Sequence, residues 1–571
     1  MKNLLIPSIF LLANFLVACK KSVPEAFAYE TPKNVLADSA AVVSPHPLAT
    51  AIGLEVLKSG GNAIDAMVAV QFAIAVVYPR AGNIGGGGFM VIRKADGTVA
   101  SIDYREKAPL GASRDMYLDS LGNIVEGLSL AGHLAAGVPG SVAGLYEAWQ
   151  KHGQLKSFET IIQPAIDLAE NGFRLSTEEA ERLNDYQEAF RQHNDSPNPF
   201  IRDTFLAGDL FVQKELAETL KRIQTQGPAG FYEGQTADYI VAEMKSASGL
   251  ITHEDLRQYK AVWRDPIVGN YKDYRIISMG PPSSGGIALL QMLEMVEKYP
   301  LAEWGLHTPS SIHLMAEAER RAFSDRAKYL GDADFYEVPI GQLLDSSYLA
   351  ERMASYDAQL AGKSDLMGAG HFEVGIESFE TTHTSVIDAA GNAVSTTTTL
   401  NSNYGCKVWV DGAGFLLNNE MDDFSSKPGV PNQFGLVGAE ANAIQPGKRM
   451  LSSMTPTIVE KDGHVFMVLG APGGSTIITA VFQVFLNVAE FGLDLQQAVD
   501  APRFHHQWLP DEIWMESGYF PENTRNALTA KGHQLKDVGR MAVIKAIHVR
   551  PDGQLQAVGD FRNPDDTAGG Y

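Results

Sequence analysis

The chain has 571 residues, of which 45% are hydrophobic and 20% are charged, and its formal net charge is −22 at pH 7. This length predicts two to four structural units, and the composition excludes a disordered chain. The negative charge argues against nucleic acid as a partner, because phosphate groups would be repelled.

The N-terminus has the pattern of a targeting segment. Lys2 precedes an apolar run over residues 4–18 that is too short to span a bilayer comfortably. The run ends in Leu-Val-Ala-Cys at Cys19, which resembles a bacterial lipobox, in which the signal is removed before a cysteine that then carries lipid. An ordinary signal peptide with an incidental cysteine is the alternative, and both predict export. We assign residues 1–18 to the signal peptide and 19–34 to a polar tether.

The first folded segment is predicted to begin with two helices, over residues 46–60 and 62–79. Gly60 and Gly61 separate them, and Asn62 can cap the second, which is apolar nearly all round and should be buried. A glycine run, Gly85 to Gly88, then precedes a predicted strand. Helical patterns dominate the segments that follow, over 140–260, 286–330 and 340–360.

From residue 381 the pattern changes to β-strands. Residues 381–388 and 393–400, joined by a turn at Ala390-Gly391-Asn392, predict a β-hairpin. Val465 to Leu469 predict a buried strand, and Ser475 is predicted to cap a long apolar helix that ends near Leu493. Together the two halves predict an α+β fold in which two sheets lie between helices.

Thr381, in Thr-Thr-His at 381–383, is a candidate nucleophile. If the peptide bond before it is cut, Thr381 carries a hydroxyl and a free α-amine, so nucleophile and base lie on one residue. An α-amine has a pKa of about 7.7–8.0 and is partly neutral near neutral pH. From these residues alone, the start of an ordinary strand is the simpler interpretation.

Gly473 and Gly474 lie between a predicted strand and a predicted helix, where free backbone N–H groups suit an oxyanion. A tight turn without a ligand is the alternative. The adjacent hydroxyls of Ser452 and Ser453 can hold a carboxylate, although such pairs more often solvate a turn.

Arg105 can bind a carboxylate with two hydrogen bonds, or it can pair with Asp103 or Glu106. Glu420, Asp422 and Asp423 form an acidic cluster that suits a ligand ammonium, or that is simply surface charge. No H-E-x-x-H motif and no cysteine–histidine spacing supports a metal site, and we expect no cofactor. Cys406 is expected to be a packing residue.

Nine motifs in order make the chain similar to one family. From about residue 35 to Tyr571 the chain resembles the γ-glutamyltranspeptidases, which are N-terminal-nucleophile hydrolases. The motifs are Gly-Gly-Asn-Ala-Ile-Asp-Ala (60–66), Asn-Ile-Gly-Gly-Gly-Gly-Phe-Met (83–90), Asp-Tyr-Arg-Glu (103–106), Pro-Ser-Ser-Gly-Gly (282–286), Thr-Thr-His (381–383), Leu-Asn-Asn-Glu-Met-Asp-Asp-Phe (417–424), Leu-Ser-Ser-Met-Thr-Pro-Thr (451–457), Gly-Ala-Pro-Gly-Gly-Ser (470–475) and Pro-Arg-Phe-His-His-Gln-Trp (502–508).

The resemblance implies a four-layer αββα sandwich and a precursor that cleaves itself. Thr381 would attack the carbonyl of Glu380, giving a large subunit (35–380) and a small subunit (381–571) that pair as a heterodimer. Thr381 would then form an ester with the γ-glutamyl group of an amide such as glutathione. Water, an amino acid or a peptide would take the acyl group.

The resemblance also implies a role for each motif residue. Thr399 would assist Thr381, and Gly473 and Gly474 would form the oxyanion hole. The substrate α-carboxylate would be held by Arg105, Ser452 and Ser453, and its α-ammonium by Asn401, Glu420 and Asp423. Glu420 and Phe434 depart from some members, which have glutamine and tyrosine there. A lid is expected around Phe434.

Two other functions are compatible with the sequence. One is an acylase of the same superfamily that acts on glutaryl amides of β-lactams, although a glutaryl group lacks the ammonium that Glu420 and Asp423 would bind. The other is an inactive exported lipoprotein that binds γ-glutamyl compounds. Lys20 and Lys21 do not resemble an inner-membrane retention signal. We therefore expect a periplasmic protein that is anchored by lipid, with the outer membrane favoured.

Overall fold

The computed structural model of the protein describes residues 27–367, 381–427, 429–430, 432–433 and 436–571. The predicted signal peptide, Cys19, Glu380 and Phe434 lie outside these residues. None of the helices in the described ranges has the length and hydropathy that crossing a bilayer requires.

The described residues form the following elements. The strands are β1 (Asn34–Ala37), β2 (Ala41–Ser44), β3 (Gly87–Arg93), β4 (Val99–Asp103), β5 (Phe173–Arg174), β6 (Leu210–Phe211), β7 (Val262–Arg264), β8 (Ile267–Tyr271), β9 (Tyr274–Ser278), β10 (Thr382–Ile387), β11 (Ala393–Thr399), β12 (Thr457–Lys461), β13 (His464–Gly470), β14 (Phe504–His505), β15 (Ile513–Glu516), β16 (Leu535–Val538), β17 (Lys545–Val549), β18 (Leu555–Gly559) and β19 (Thr567–Gly570). The helices are α1 (Pro47–Lys58), α2 (Ala63–Val77), α3 (Ser141–His152), α4 (Phe158–Asn171), α5 (Thr177–Asp185), α6 (Gln187–His193), α7 (Lys214–Gln226), α8 (Ala229–Tyr232), α9 (Gly234–Ser246), α10 (His253–Gln258), α11 (Gly285–Glu297), α12 (Leu301–Trp304), α13 (Pro309–Tyr329), α14 (Ile340–Leu343), α15 (Ser346–Met353), α16 (Thr476–Ala489), α17 (Leu495–Asp500) and α18 (Glu522–Ala530).

Two seven-stranded antiparallel sheets form the centre of the fold. The first sheet has the order β1-β18-β17-β13-β12-β9-β8, and the second has the order β19-β2-β10-β11-β3-β4-β7. Each sheet contains strands from both sides of Thr381, and these are paired directly: β10 pairs with β2, β11 with β3, and β12 with β9. The two halves of the chain are therefore joined by main-chain hydrogen bonds in both sheets.

The alternation of side chains along β3 shows how the layers stack. Phe89 and Val91 pack in the core that contains Leu469 of the first sheet, whereas Met90 and Ile92 pack in the core that contains α2. Successive side chains of a strand point to opposite faces of its sheet. The second sheet is thus covered by the first sheet on one face and by helices on the other. Helices α11 and α16 cover the first sheet, which confirms the four-layer αββα sandwich.

The helices predicted at the start of the folded segment are present with the expected boundary. Asn62 caps α2 by accepting from the backbone N–H of Asp65, whose carboxylate accepts from the backbone N–H of Asn62 in return. Gly60 has a φ of 90°, which residues with a side chain rarely adopt. Every residue of α2 is buried, as its apolar sequence predicts.

Ser475 stands directly before α16, at the position predicted for its cap, but its side chain does not cap the helix. Ser475 is itself in the right-handed helical conformation and makes no capping hydrogen bond with α16. Its hydroxyl instead donates to Oε1 of Gln507 at 2.5 Å. The helix ends at Ala489, four residues before the predicted end near Leu493.

The end of the predicted tether belongs to the folded unit. The hydroxyl of Tyr29 donates to the carbonyl of Arg174 at 2.6 Å, and the ammonium of Lys33 donates to the carbonyl of Asn563 at 2.8 Å. Asn34 already pairs with Val558 in the first sheet. The polar composition of residues 19–34 predicts a tether, but Tyr29, Lys33 and Asn34 are held by partners far away in the sequence.

Candidate active site

Thr381 lies at the start of the central strand β10 and is 8% exposed. The β10–β11 hairpin pairs Thr382 with Thr398, which brings Thr399 beside Thr381. The hydroxyl of Thr381 donates to Oγ1 of Thr399 at 3.4 Å, and the backbone N–H of Asn401 donates to the same oxygen at 2.7 Å. A local hairpin therefore places a second hydroxyl next to the predicted nucleophile.

Gly473 and Gly474 form the turn between β13 and α16. Their φ angles are 138° and 55°, both in the region that favours glycine. A Cβ on Gly473 would lie 2.8 Å from Cα of Ala542, so a side chain has no space there. Neither N–H donates to a backbone carbonyl in the described residues. Donors of this kind, just before a helix, are suited to an oxyanion.

Nearly all of the predicted site residues meet at one small cavity of about 20 Å³, which has room for about one water molecule. Gly473 precedes the lining residue Gly474 but does not line the cavity itself. The predicted residues in the lining are Arg105, Thr381, Thr399, Asn401, Glu420, Asp423, Ser452, Ser453 and Gly474. From the segment expected to form a lid, Leu436 lines the cavity, and the amide of Asn432 donates to Oδ1 of Asp423 at 3.4 Å.

Arg105 is paired with the two acids that the resemblance assigns to the opposite end of a ligand. Its Nη1 lies 2.5 Å from Oε2 of Glu420, and its Nη2 contacts Oδ2 of Asp423. Oε2 of Glu106, which the sequence also indicates as a partner, lies farther from Nη1 of Arg105, at 3.7 Å. Burial raises the pKa of Glu420 and of Asp423, although Arg105 opposes both shifts. The buried charges therefore neutralise one another when no ligand is bound.

Glu106 adds a third buried carboxyl to this cluster. Burial raises its pKa to about 8, although the guanidinium of Arg105 opposes that shift. The nearby charge of Asp423 raises it further. One guanidinium faces three carboxyls, so the cluster holds a proton near neutral pH.

Arg326 is a site residue that the sequence reasoning missed. It lies on α13, is 4% exposed and lines the same cavity. Its Nε donates to the hydroxyl of Ser284 at 3.0 Å, and its Nη2 donates to the hydroxyl of Ser453 at 3.1 Å. Burial lowers its pKa to about 10, against the pull of Asp423. Arg326 forms no direct ion pair with a carboxylate among the residues that the structure describes, and it brings a second positive charge to the cavity beside Arg105.

One cluster elsewhere contains residues of metal-ligand type, namely His313, Glu317 and His533. Nδ1 of His313 and Nε2 of His533 share a hydrogen bond of 2.7 Å, and Glu317 is paired with Arg320 and Arg321. Two adjacent guanidinium groups disfavour a cation at this position. The described residues that line the cavity at Thr381 include no histidine or cysteine.

Comparison with known proteins assigns the chain to a family. The family described as gamma-glutamyltranspeptidase matches residues 49–570. The glutathione hydrolase proenzyme of Escherichia coli (strain K12) is 46% identical over 540 residues, which cover 94% of this chain and 93% of that protein.

Two solved structures are also similar. Cephalosporin acylase from Bacillus halodurans has a TM-score of 0.80 at 25% identity and covers 96% of this chain and 99% of its own. The γ-glutamyltranspeptidase of Helicobacter pylori has a TM-score of 0.55 at 48% identity and covers 57% of this chain and 95% of its own. The family match over most of the length, together with the identity to the E. coli protein, confirms the resemblance, and the chain belongs to the γ-glutamyltranspeptidase family.

Proposed function

We propose that the chain is a self-processing γ-glutamyltranspeptidase that hydrolyses glutathione and transfers its γ-glutamyl group. The observation that carries the proposal is the cavity at Thr381. A hydroxyl nucleophile, the backbone donor of Gly474 at a helix start and paired buried charges line one small space. The E. coli relative, named a glutathione hydrolase proenzyme, supports the substrate and the precursor form.

The precursor would cleave itself before Thr381. The hydroxyl oxygen of Thr381 attacks the carbonyl carbon of Glu380, the C–N bond breaks as the nitrogen of Thr381 takes up the hydroxyl proton, and water hydrolyses the resulting ester. The products are a large subunit (35–380) and a small subunit (381–571). Because each sheet contains strands from both pieces, the pieces would stay together as a heterodimer.

In the mature enzyme the free α-amine of Thr381 takes the proton of its own hydroxyl. The oxygen attacks the γ-carbonyl carbon, and the N–H groups of Gly473 and Gly474 stabilise the oxyanion. The amine of the substrate leaves with the proton, and a γ-glutamyl ester remains on Thr381. Water or an acceptor amine then releases the acyl group. Thr399 holds the hydroxyl of Thr381 in position through the 3.4 Å contact.

Substrate recognition would be an exchange of ion pairs. The α-carboxylate of the substrate takes the place of Glu420 and Asp423 at Arg105, with Ser452 and Ser453 as further donors. The α-ammonium takes the place of Arg105 at the two acids, with the side-chain oxygen of Asn401. Arg105, Glu420 and Asp423 keep partners of opposite charge before and after the exchange, so the large cost of an isolated buried ion is avoided for these three groups.

The similarity to cephalosporin acylase favours one alternative, the hydrolysis of glutaryl amides. A glutaryl group has no α-ammonium, and it would leave Glu420 and Asp423 without a cationic partner once its carboxylate had taken Arg105. The buried acids therefore favour the γ-glutamyl substrate.

The test compares glutamate release from glutathione with hydrolysis of a matched glutaryl amide by the purified protein, whose intact mass is measured in parallel. We expect two masses, with the smaller species starting at Thr381, and preferential hydrolysis of glutathione. Preference for the glutaryl amide would favour the acylase. A single uncut species that binds glutamate without turnover would favour an inactive binding protein.

We further propose that the protein is exported to the periplasm and anchored by lipid on Cys19. The lipobox-like sequence supports the anchor, and the two lysines that follow support the outer membrane. Cys19→Ala should move the protein from the membrane fraction to the soluble fraction. If Cys19→Ala divides between the two fractions in the same way as the unsubstituted protein, the lipid anchor is contradicted.

A further inference from the structure

A second, larger cavity also reaches Thr381. Its volume is about 350 Å³, compared with about 20 Å³ for the cavity described above. Thr381 is the one described residue that lines both cavities. Pro472 and Ala542, which lie beside the Gly473 turn, line the second cavity near this junction. The nucleophile therefore lies between a small cavity and a much larger one.

The charged lining of the second cavity is strongly basic. In the described part of the chain it consists of one acid, Glu178, and five bases, Arg80, Arg182, Arg540, Lys545 and Arg562. Lys545 and Arg562 are each paired with acids behind the cavity wall, Asp566 and Glu516 respectively. The remaining three arginines surround Glu178.

A single carboxylate oxygen serves those three arginines. Oε1 of Glu178 lies 3.2 Å from Arg80, 3.3 Å from Arg182 and 3.1 Å from Arg540. Behind the wall, Arg80 has a weaker contact of 3.7 Å with Glu179, and Arg182 has one of 3.5 Å with Asp185. The side chain of Arg540 is 47% exposed, and its other hydrogen bond goes to the carbonyl of Arg562. Arg540 is thus the guanidinium best able to take a further anion.

We propose that this cavity binds the amine partner of the reaction, an amino acid or peptide with a free carboxylate, and that Arg540 holds that carboxylate. This inference rests on the proposed function, in which the glutamyl unit occupies the small cavity. The amine that leaves and the amine that accepts must both reach the same acyl carbon on Thr381. The second cavity gives them a route to it, and the half-exposed guanidinium of Arg540, which shares one carboxylate oxygen with two other arginines, can pair with the carboxylate that both carry.

The transfer step conserves atoms and charge. The acceptor nitrogen attacks the γ-carbonyl carbon of the ester, a C–N bond forms, and the bond from that carbon to Oγ1 of Thr381 breaks. The proton that the nitrogen loses passes through the α-amine of Thr381 to Oγ1. A carboxylate fixed by Arg540 contributes by holding the acceptor nitrogen near the ester.

The experiment compares two acceptors, glycylglycine and glycylglycinamide, which differ only in the carboxylate. With a γ-glutamyl anilide as donor, we expect the unsubstituted protein to have a KM for glycylglycine about tenfold lower than for the amide, because one charge-assisted contact is lost. In Arg540→Gln this ratio should fall toward one. Arg550→Gln, which removes a partly exposed arginine whose one ion pair among the described residues is with Asp552, is the matched control and should keep the preference.

A second variant keeps the proposed acceptor site testable. If Arg540→Gln does not fold, Arg182→Gln replaces it, and the ratio for the unsubstituted protein alone already tests the charge preference. Equal KM values for the two acceptors, or an unchanged ratio in Arg540→Gln, would overturn the acceptor site while glutathione hydrolysis continues. Absence of glutamate release from glutathione would instead overturn the proposed function and this inference with it.

Discussion

The guanidinium of Arg105 lies 2.5 Å from the carboxylate of Glu420, and both side chains are buried. Asp423 contacts the other terminal nitrogen of the same guanidinium. When no ligand is bound, Arg105 and the two acids therefore neutralise one another. A zwitterionic ligand can replace both halves of the pairing at once, whereas a ligand with a single charge leaves one buried group without a partner. We therefore expect the site to select glutamyl over glutaryl groups, because a glutaryl group leaves a buried acid without a cationic partner.

Glu420→Gln tests this exchange. The variant removes one acid that binds the ammonium, while Asp423 continues to neutralise Arg105. We expect the inhibition constant of glutamate to rise about tenfold, the value of one hydrogen bond to a charged group. Glutarate, which lacks the ammonium, is the matched control, and its inhibition constant should not rise. An equal rise for both ligands would show that Glu420 does not bind the ammonium.

Thr381→Ala tests the nucleophile. We expect one uncut chain and no turnover, because the hydroxyl oxygen that would attack in both processing and catalysis is absent. Thr381→Ser keeps the hydroxyl and should still split, as intact mass would show. Cleavage before residue 381 in the alanine variant would exclude Thr381 as the attacking group.

Arg326→Gln tests the arginine on α13. Its charge lies at the cavity and positions the hydroxyl of Ser453. We expect the KM for glutathione to rise about tenfold or more, with a smaller rise in Arg326→Lys, which keeps the charge but loses one of the two contacts to serine. Steady-state kinetics and a melting curve of each variant separate binding from folding. An unchanged KM in a folded Arg326→Gln would remove Arg326 from the site.

Gly473→Ala tests the oxyanion turn. A φ of 138° and a Cβ 2.8 Å from Cα of Ala542 mean that the turn must shift. We expect kcat to fall about 100-fold, with little change in KM, because oxyanion donors act in the transition state. Gly463→Ala in the β12–β13 turn also has a positive φ, but its Cβ would meet open space, and it should keep kcat. A normal kcat in Gly473→Ala would contradict the assignment.

Glu106→Gln tests the buried acid cluster through pH. Burial raises the pKa of Glu106 from 4.5 to about 8, so the folded state holds a proton that the unfolded chain releases at lower pH. The stability that comes from this group is present below about pH 4.5 and is lost as pH rises through about 8. The melting temperature of the glutamine variant relative to the unsubstituted protein should therefore rise between pH 5 and pH 9. A constant difference would mean that the pKa of Glu106 is not raised.

Local sequence patterns were sufficient for several parts of this protein. Alternating residues and a glycine turn predicted the hairpin that carries Thr381 and Thr399, and Asn62 predicted the start of α2. These features depend on residues a few positions apart, so their physics is contained in short stretches of chain. The nine motifs, in turn, identified the family and with it the four-layer fold.

The tertiary structure decided which charges meet. Arg105 lies 318 residues from Asp423 in the sequence, and Arg326 lies 127 residues from Ser453. Ser475 faces Gln507 instead of its own helix, and Lys33 is held by carbonyls near the C-terminus. Such contacts depend on how the sheets and helices pack, because a buried charge or hydroxyl must find its partner wherever the fold brings one within a few ångströms. Periodicity along the chain carries no information about that partner, and so the sequence determined the elements and the nucleophile while the packing determined the electrostatics of the site.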